Sequence, residues 1–108
     1  MIQSDTRIVL PASARGLHFY HKPPIDPAYL AKIEIPRDSK AKMMETLSLI
    51  TNMDIHTDGS FEKRVSWWIP TSAKVLVDRQ TMIGSDYLHA TLTEETDDII
   101  LYIEWVTI

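Results

Sequence analysis

Residues 88–108, with the sequence LHATLTEETDDIILYIEWVTI, decide the fold. Before the acidic run 94–98, apolar residues alternate with polar ones, and after it large apolar residues occupy every second position from Ile99 to Trp105. Successive side chains of a β-strand point to opposite faces, so each of these sets shares one face. The acidic run interrupts the alternation and is typical of a turn. We therefore predict a β-hairpin, one face of which carries Leu88, Ala90, Leu92, Ile99, Leu101, Ile103 and Trp105.

The second strand of this hairpin is largely apolar on its other face too. That face carries Ile100, Tyr102, Glu104, Val106 and Ile108. A strand with two apolar faces is usually central in its sheet or covered on its second side. We expect the cover to come either from residues 17–20 or from a second subunit.

The rest of the chain adds strands and one helix. Short extended patterns occupy residues 7–10, 17–21, 29–35, 61–69 and 74–78. Residues 80–86 are interpreted as a loop. Residues 40–53 contain neither Gly nor Pro and repeat apolar residues at helical spacing, with Asp38 or Ser39 as the N-cap. This order predicts a single α+β domain over residues 1–108, with two layers: a mainly antiparallel β-sheet and one amphipathic helix packed on one face.

Composition and charge exclude several classes of function. Of the 108 residues, 44% are hydrophobic and 24% are charged, and no apolar run approaches the roughly 20 residues that span a bilayer. The net charge is −4 and no Lys or Arg follows Arg79, which argues against a nucleic-acid partner. Cysteine is absent, and the first residues lack the pattern of a secretory signal. We expect a cytoplasmic protein that binds neither nucleic acid nor membrane.

A calcium-loop pattern begins at residue 54 but is incomplete. Asp54 and Asp58 stand at the first and fifth positions of an EF-hand loop. Val65 replaces the Glu of the twelfth position, and His56 stands where an oxygen ligand is usual. We interpret the segment as a polar turn and expect no metal and no cofactor. The residues that a metal would use are Asp54, His56 and Asp58.

Aromatic residues are the stronger candidates for a binding surface. In an extended segment Trp67 and Trp68 point to opposite faces, so one indole faces outward, where its large area and polar N–H suit an interface. His18 and His21 are three residues apart in a predicted strand, which places them on opposite faces and argues against a joint metal site. The candidate ligand or interface residues are Tyr20, Trp67, Trp68, Tyr102, His18 and His21.

The N-terminal third of the chain carries a resemblance. The sequence VLPASA at residues 9–14, followed by Asp26 and by AKIEIP at residues 31–36, resembles the opening of small uncharacterised bacterial proteins, some of them encoded on the mobile gene cassettes of integrons. The resemblance implies a bacterial origin and an accessory, adaptive role. These proteins share no established activity, so the resemblance implies no site residue.

These observations favour a small non-enzymatic binding or protein-interaction domain that forms a homodimer. The chain contains no G-x-S-x-G, no H-E-x-x-H and no Gly-rich phosphate loop. The alternative is a small-molecule-binding protein or an enzyme, with a pocket between helix and sheet on which His18, His21, Asp54 and His56 converge. A third hypothesis is an inhibitor that presents its acidic hairpin to a basic protein partner.

Overall fold

The structure is a computed structural model, and it describes residues 8, 10–22, 28–53, 66–68, 74–84, 86–96 and 98–107. In chain order these residues form β1 (Arg15–Lys22), β2 (Ala28–Ile35), a short 3-10 turn (Arg37–Ser39), α1 (Lys40–Ser48), β3 (Lys74–Ile83), β4 (Asp86–Glu95) and β5 (Asp98–Thr107). No helix in the described part of the chain has the length and apolar content needed to cross a membrane.

The five strands form one sheet in the order β1-β2-β5-β4-β3, and every neighbouring pair is antiparallel. The predicted α+β class, with an antiparallel sheet and a single short helix, is therefore confirmed. β5 lies at the centre of the sheet, which agrees with its apolar residues on both faces.

The C-terminal hairpin is also confirmed, with β4 and β5 paired along their whole length. The strands extend into the acidic run, and the chain turns at Thr96, whose φ of 55° lies in the left-handed region. At the end of β4, Glu94 accepts hydrogen bonds from Arg37 at 3.1 Å and from Lys40 at 3.5 Å. The bond from the Arg37 guanidinium is the main reason that the pKa of Glu94 is lowered. Basic residues near the start of α1 thus neutralise one of the turn's acids.

One face of the sheet belongs to the main apolar cluster, and we call it the inner face. Met43 and Leu47 of α1 are buried in the same cluster. The strand residues of this cluster include the predicted hairpin face and its neighbours on β2: Ile33, Ile35, Leu88, Ala90, Leu92, Ile99, Leu101, Ile103 and Trp105. The alternation predicted for the hairpin is thus confirmed on this side. The opposite face of the sheet is called the outer face.

The prediction that the helix spans residues 40–53 is wrong at its C-terminal end. The helix ends at Ser48, and the chain beyond it bonds with the edge strand β3 instead. The Met53 N–H donates to the Gln80 carbonyl at 2.7 Å, and the Asn52 side-chain oxygen accepts from the Gln80 N–H at 2.9 Å. Ser39 precedes the helix as predicted, but its side chain makes no capping hydrogen bond.

The loop predicted for residues 80–86 is wrong as well, because β3 continues to Ile83 and only Gly84 and its successor separate it from β4. The polar run Asp78-Arg79-Gln80 hides the strand from a hydrophobic pattern, yet register with β4 is kept on both sides of it. Val77 faces Leu92 and Thr81 faces Leu88 across the two strands. Gly84 supplies the left-handed φ of 63° that the tight connection requires.

Three other expectations concern segments outside the hairpin. Ile8 and Leu10, the described residues of the strand predicted at 7–10, are not in a strand. Residues 17–20 are not a cover for the sheet, because β1 is one of its strands. Of the predicted extended segment 61–69, the described residues 66–68 form a turn, so strand alternation does not govern Trp67 and Trp68.

Candidate functional site on the outer face of the sheet

Antiparallel register aligns one residue from each of the five strands across the outer face. His18 pairs with Lys32, Lys32 with Tyr102, Tyr102 with Thr91 and Thr91 with Asp78. Directly paired residues share a face of the sheet and have adjacent side chains. The sheet therefore brings aromatic, basic, hydroxyl and acidic groups into a single line, although they are up to 84 positions apart, from His18 to Tyr102.

Four rings form a continuous contact over part of this line, which we call the aromatic row. His18 stacks on Trp67 with ring centroids 5.1 Å apart and an interplanar angle of 12°. Trp67 meets Trp68 at 6.3 Å, and Trp68 meets Tyr102 edge-on at 5.3 Å. These separations lie in the range in which ring pairs add about 0.5–1.5 kcal/mol beyond their burial. The row ties residues 66–68 to β1 and β5.

Tyr102 is the buried anchor of the aromatic row. Its side chain is fully buried, and its hydroxyl donates to Glu95 Oε2 at 2.7 Å. Burial is the main cause, and the Glu95 carboxylate a further one, of a strongly raised pKa at Tyr102, so the phenol stays neutral and keeps its proton for Glu95. The Lys32 ammonium lies 5.4 Å from the centre of the Tyr102 ring, within cation–π distance.

Exposure rises along the row towards the edge of the sheet. Tyr102 is buried, Trp67 and Trp68 are half-buried, and His18 is exposed. On the inner side of the same edge strand, Phe19 is 48% exposed and stacks on Tyr29 at 5.5 Å. Strand β1 therefore presents aromatic side chains on both of its faces, with His18 stacked on Trp67 and Phe19 stacked on Tyr29.

A second group of side chains, the polar cluster, lies at the other end of the line and consists of Asp78, His89, Thr91 and Glu104. Asp78 Oδ1 lies 2.6 Å from His89 Nε2 and accepts a hydrogen bond from the Thr91 hydroxyl at 2.7 Å. Because an ionised carboxylate only accepts, His89 Nε2 carries a proton in this arrangement. His89 Nδ1 lies 3.9 Å from Glu104 Oε1, and the Glu104 side chain is only 5% exposed.

The chemistry open to the polar cluster is limited by these contacts. The Thr91 hydroxyl donates to Asp78, which is the wrong direction for a nucleophile activated by His89. The two nitrogens of His89 face different carboxylates, Asp78 and Glu104. The three side chains therefore do not converge on a single metal ion. In the described part of the chain no group of three or more His, Asp or Glu side chains is arranged to hold a metal. The cluster orders the outer face through charge-assisted hydrogen bonds.

The pH dependence of this contact can be predicted. The pKa of Asp78 is lowered, chiefly by the hydrogen bond from His89, with burial acting in the opposite direction. Ionised Asp78 therefore stabilises the fold fully above its ordinary pKa of 3.8, and this contribution is lost as the pH falls through the lower folded-state pKa. We expect Asp78→Asn to reduce the free energy of unfolding at pH 6 by up to about 1 kcal/mol, because the side chain is 48% exposed.

Urea denaturation between about pH 6 and pH 2.5 measures this effect, and the deficit of the variant should shrink as the pH falls. The control is the same substitution in a His89→Ala background, where the partner is gone and the deficit should be smaller throughout. A deficit that is equal at every pH would show that the ionised form of Asp78 is not what the contact stabilises.

The structure brings four of the six candidate ligand or interface residues into contact with one another. Trp67, Trp68, Tyr102 and His18 meet in the aromatic row, and both indoles lie on the outer face rather than on opposite faces, because they lie in a turn. Tyr20 lies on the same face of β1, paired with Leu30 and half-buried.

The remaining candidates lie elsewhere. His21 lies in β1 opposite Tyr29. Asp54, His56 and Asp58 fall outside the described residues. His18 cannot line a pocket between helix and sheet, because it lies on the outer face and the helix residues of the core belong to the inner side.

Sequence reasoning missed the polar cluster. Its position between Leu88 and Ala90 places His89 on the face opposite the apolar one but indicates no partner, and the strand predicted at residues 74–78 ends at Asp78. A hairpin with a two-residue turn at positions 96 and 97 pairs His89 with Glu104 directly, so turn length was the signal that could have joined them.

Comparison with known proteins adds no relative to this description. No family model, no curated protein and no solved structure matches the chain.

Proposed function

We propose that the protein is a non-enzymatic interaction domain that pairs with a second copy of itself through β1, an edge strand of the described sheet. The observation that carries the proposal is the contrast between the two edge strands. Open strand edges invite pairing with another chain, and proteins usually protect them with charges, bulges or covering segments.

Strand β3 is protected in these ways. Asn52 and Met53 occupy the backbone groups of Gln80, and the strand carries charged residues at Lys74, Asp78 and Arg79. Its register also shifts between Val75 and Val77. Because of these features, another strand could pair with only a short part of β3.

Strand β1 has less protection within the described part of the chain. Residues 16–21 include no Lys, Arg, Asp or Glu. The irregularity of β1 lies between Gly16 and His18, and register with β2 is regular from there to Lys22. Exposed His18 and Phe19 stand on the two faces of this regular part, and aromatic side chains are enriched where interfaces gain most of their affinity.

The sequence of β1 also suits pairing with its own copy. An antiparallel pair centred on Phe19 sets each His18 opposite the other copy's Tyr20. Residues 17–21 of the two copies then face one another, and none of them is Lys, Arg, Asp or Glu, so that no two like charges meet directly over this stretch. Such a two-fold pair extends the five-stranded sheet into a continuous sheet of two subunits. The resemblance to gene-cassette proteins would make the role of this dimer an accessory one in a bacterium.

Sedimentation equilibrium over a range of protein concentrations tests the proposal. We expect the unmodified chain to be dimeric at micromolar concentration, and Phe19→Lys to weaken dimerisation at least about tenfold, because a charge at the centre of an interface is left unpaired.

The matched control is Val75→Lys. Val75 is 45% exposed and Phe19 48%, and both lie on edge strands, but only Phe19 is on the proposed interface. His18→Lys serves if Phe19→Lys fails to fold, which circular dichroism reports. A chain that stays monomeric at all concentrations, or equal effects of the lysines on β1 and β3, would overturn the proposal.

A further inference from the structure

A cavity opens between the C-terminal end of α1 and the β3–β4 hairpin, on the opposite side of the sheet from the aromatic row. Its volume is about 320 Å³, at the lower end of the roughly 300–1,000 Å³ range of small-molecule sites. Thr46, Leu49 and Ile50 line it from the helix side, and Thr81, Ile83 and Leu88 line it from the strands.

Most of the side chains that line the cavity are apolar. The side chains that line the cavity in the described part of the chain are aliphatic or thioether groups and two threonines, with no charged and no aromatic residue among them. Thr46 and Thr81 supply the hydroxyl groups. A site of this kind buries a neutral aliphatic chain and offers hydrogen bonds to one small polar group, whereas a carboxylate would be desolvated without a cation to pair with it.

A second observation concerns the mouth of the cavity. Leu49 lines the cavity and is 80% exposed, and Met53, which is 41% exposed, accepts a hydrogen bond from the Thr81 hydroxyl at 3.5 Å. An exposed apolar side chain beside a cavity adds to the apolar surface that a bound molecule would cover. The bonds of Asn52 and Met53 to Gln80 hold this rim against β3.

We infer that this cavity is a binding site for a small neutral aliphatic molecule with one hydrogen-bonding group, such as a medium-chain alcohol or ester. The aliphatic walls hold the chain, Thr46 and Thr81 bond the polar group, and Leu49 and Met53 cover the part that emerges. The site is independent of the β1 edge, so its test and that of the dimer can fail separately.

The probe is 1-octanol, titrated into the ¹⁵N-labelled protein and followed by two-dimensional NMR. We expect saturable one-to-one binding with shifts confined to the end of α1 and the β3–β4 hairpin. Octanoate, with the same chain and a charged head, should bind at least about tenfold more weakly, because its charge meets no basic side chain among these walls.

Two variants keep the inference falsifiable. Thr46→Trp should fill the cavity and abolish binding, whereas Glu45→Trp, at the neighbouring exposed helix position, should leave it unchanged. If Thr46→Trp does not fold, Thr81→Val removes one hydroxyl at nearly constant shape and should weaken octanol binding about threefold to tenfold. Unsaturable shifts, equal binding of octanoate, or equal effects of the two tryptophans would overturn the inference. So would shifts that appear only with a partner protein whose apolar side chain fills the cavity.

Discussion

Replacing Leu101 with alanine is expected to lower the free energy of unfolding by about 3 kcal/mol. Leu101 is fully buried on the central strand β5, paired with Ile33 on one side and Leu92 on the other. Strands on both sides hold the backbone in place, so the site cannot collapse around the smaller side chain, and the loss includes the cavity as well as the lost apolar burial.

Urea denaturation followed by circular dichroism measures this loss. The matched control is Leu49→Ala, the same substitution at a side chain that is 80% exposed, and it should change the free energy of unfolding by less than about 0.5 kcal/mol. Equal losses at the two positions would mean that β5 is not the centre of the core.

The second large effect is expected from Trp68→Ala. Trp68 is half-buried and stands edge-on to the fully buried Tyr102, so its removal takes away both apolar burial on the outer face and a favourable ring contact. We expect a loss of about 2–3 kcal/mol in the free energy of unfolding, below the 3–5 kcal/mol of a fully buried tryptophan.

Trp67→Ala provides the comparison, because the two indoles are neighbours in the same turn. Trp67 stacks on His18, which is exposed, and so it should contribute less, about 1 kcal/mol. Near-ultraviolet circular dichroism checks that the aromatic row persists in this variant. A greater loss at Trp67 than at Trp68 would contradict the assignment of Tyr102 as the buried anchor.

The part of the fold that the sequence predicts is the part that regular alternation encodes. Residues 88–92 and 99–105 have apolar side chains at every second position, and the hairpin and its inner face follow directly. Strand β2 was predicted almost to its ends, because Pro36 stops it and Lys32 and Glu34 alternate with buried residues.

The errors arise where tertiary contacts decide the outcome. The residues after Ser48 would continue a helix by propensity, but Asn52 and Met53 gain hydrogen bonds at the edge of β3 that a helix would not give them. Within β3, the polar Asp78 bonds Thr91 and His89 of the neighbouring strand. The local hydrophobic pattern cannot distinguish a polar residue with such partners from one that faces solvent.

Only part of the candidate site was predicted, because its contacts also depend on tertiary structure. Trp67, Trp68, Tyr102 and His18 were chosen singly, from their chemistry, and their contact depends on a strand order that one sequence does not reveal. Lys32 lies beside the Tyr102 ring because β2 pairs with β5, which its own sequence neighbours do not reveal. Alternation assigns a residue to a face of a strand, while register decides its neighbours.

Backbone hydrogen exchange as a function of protein concentration tests the proposed interface most directly. If two copies pair through β1, those amides of residues 16–21 that point away from β2 should exchange more slowly as concentration rises, while the amides of β3 keep the same rates. Phe19→Lys should remove this dependence. The contradicting result is exchange in β1 that stays the same between a concentration at which sedimentation shows a monomer and one at which it shows a dimer.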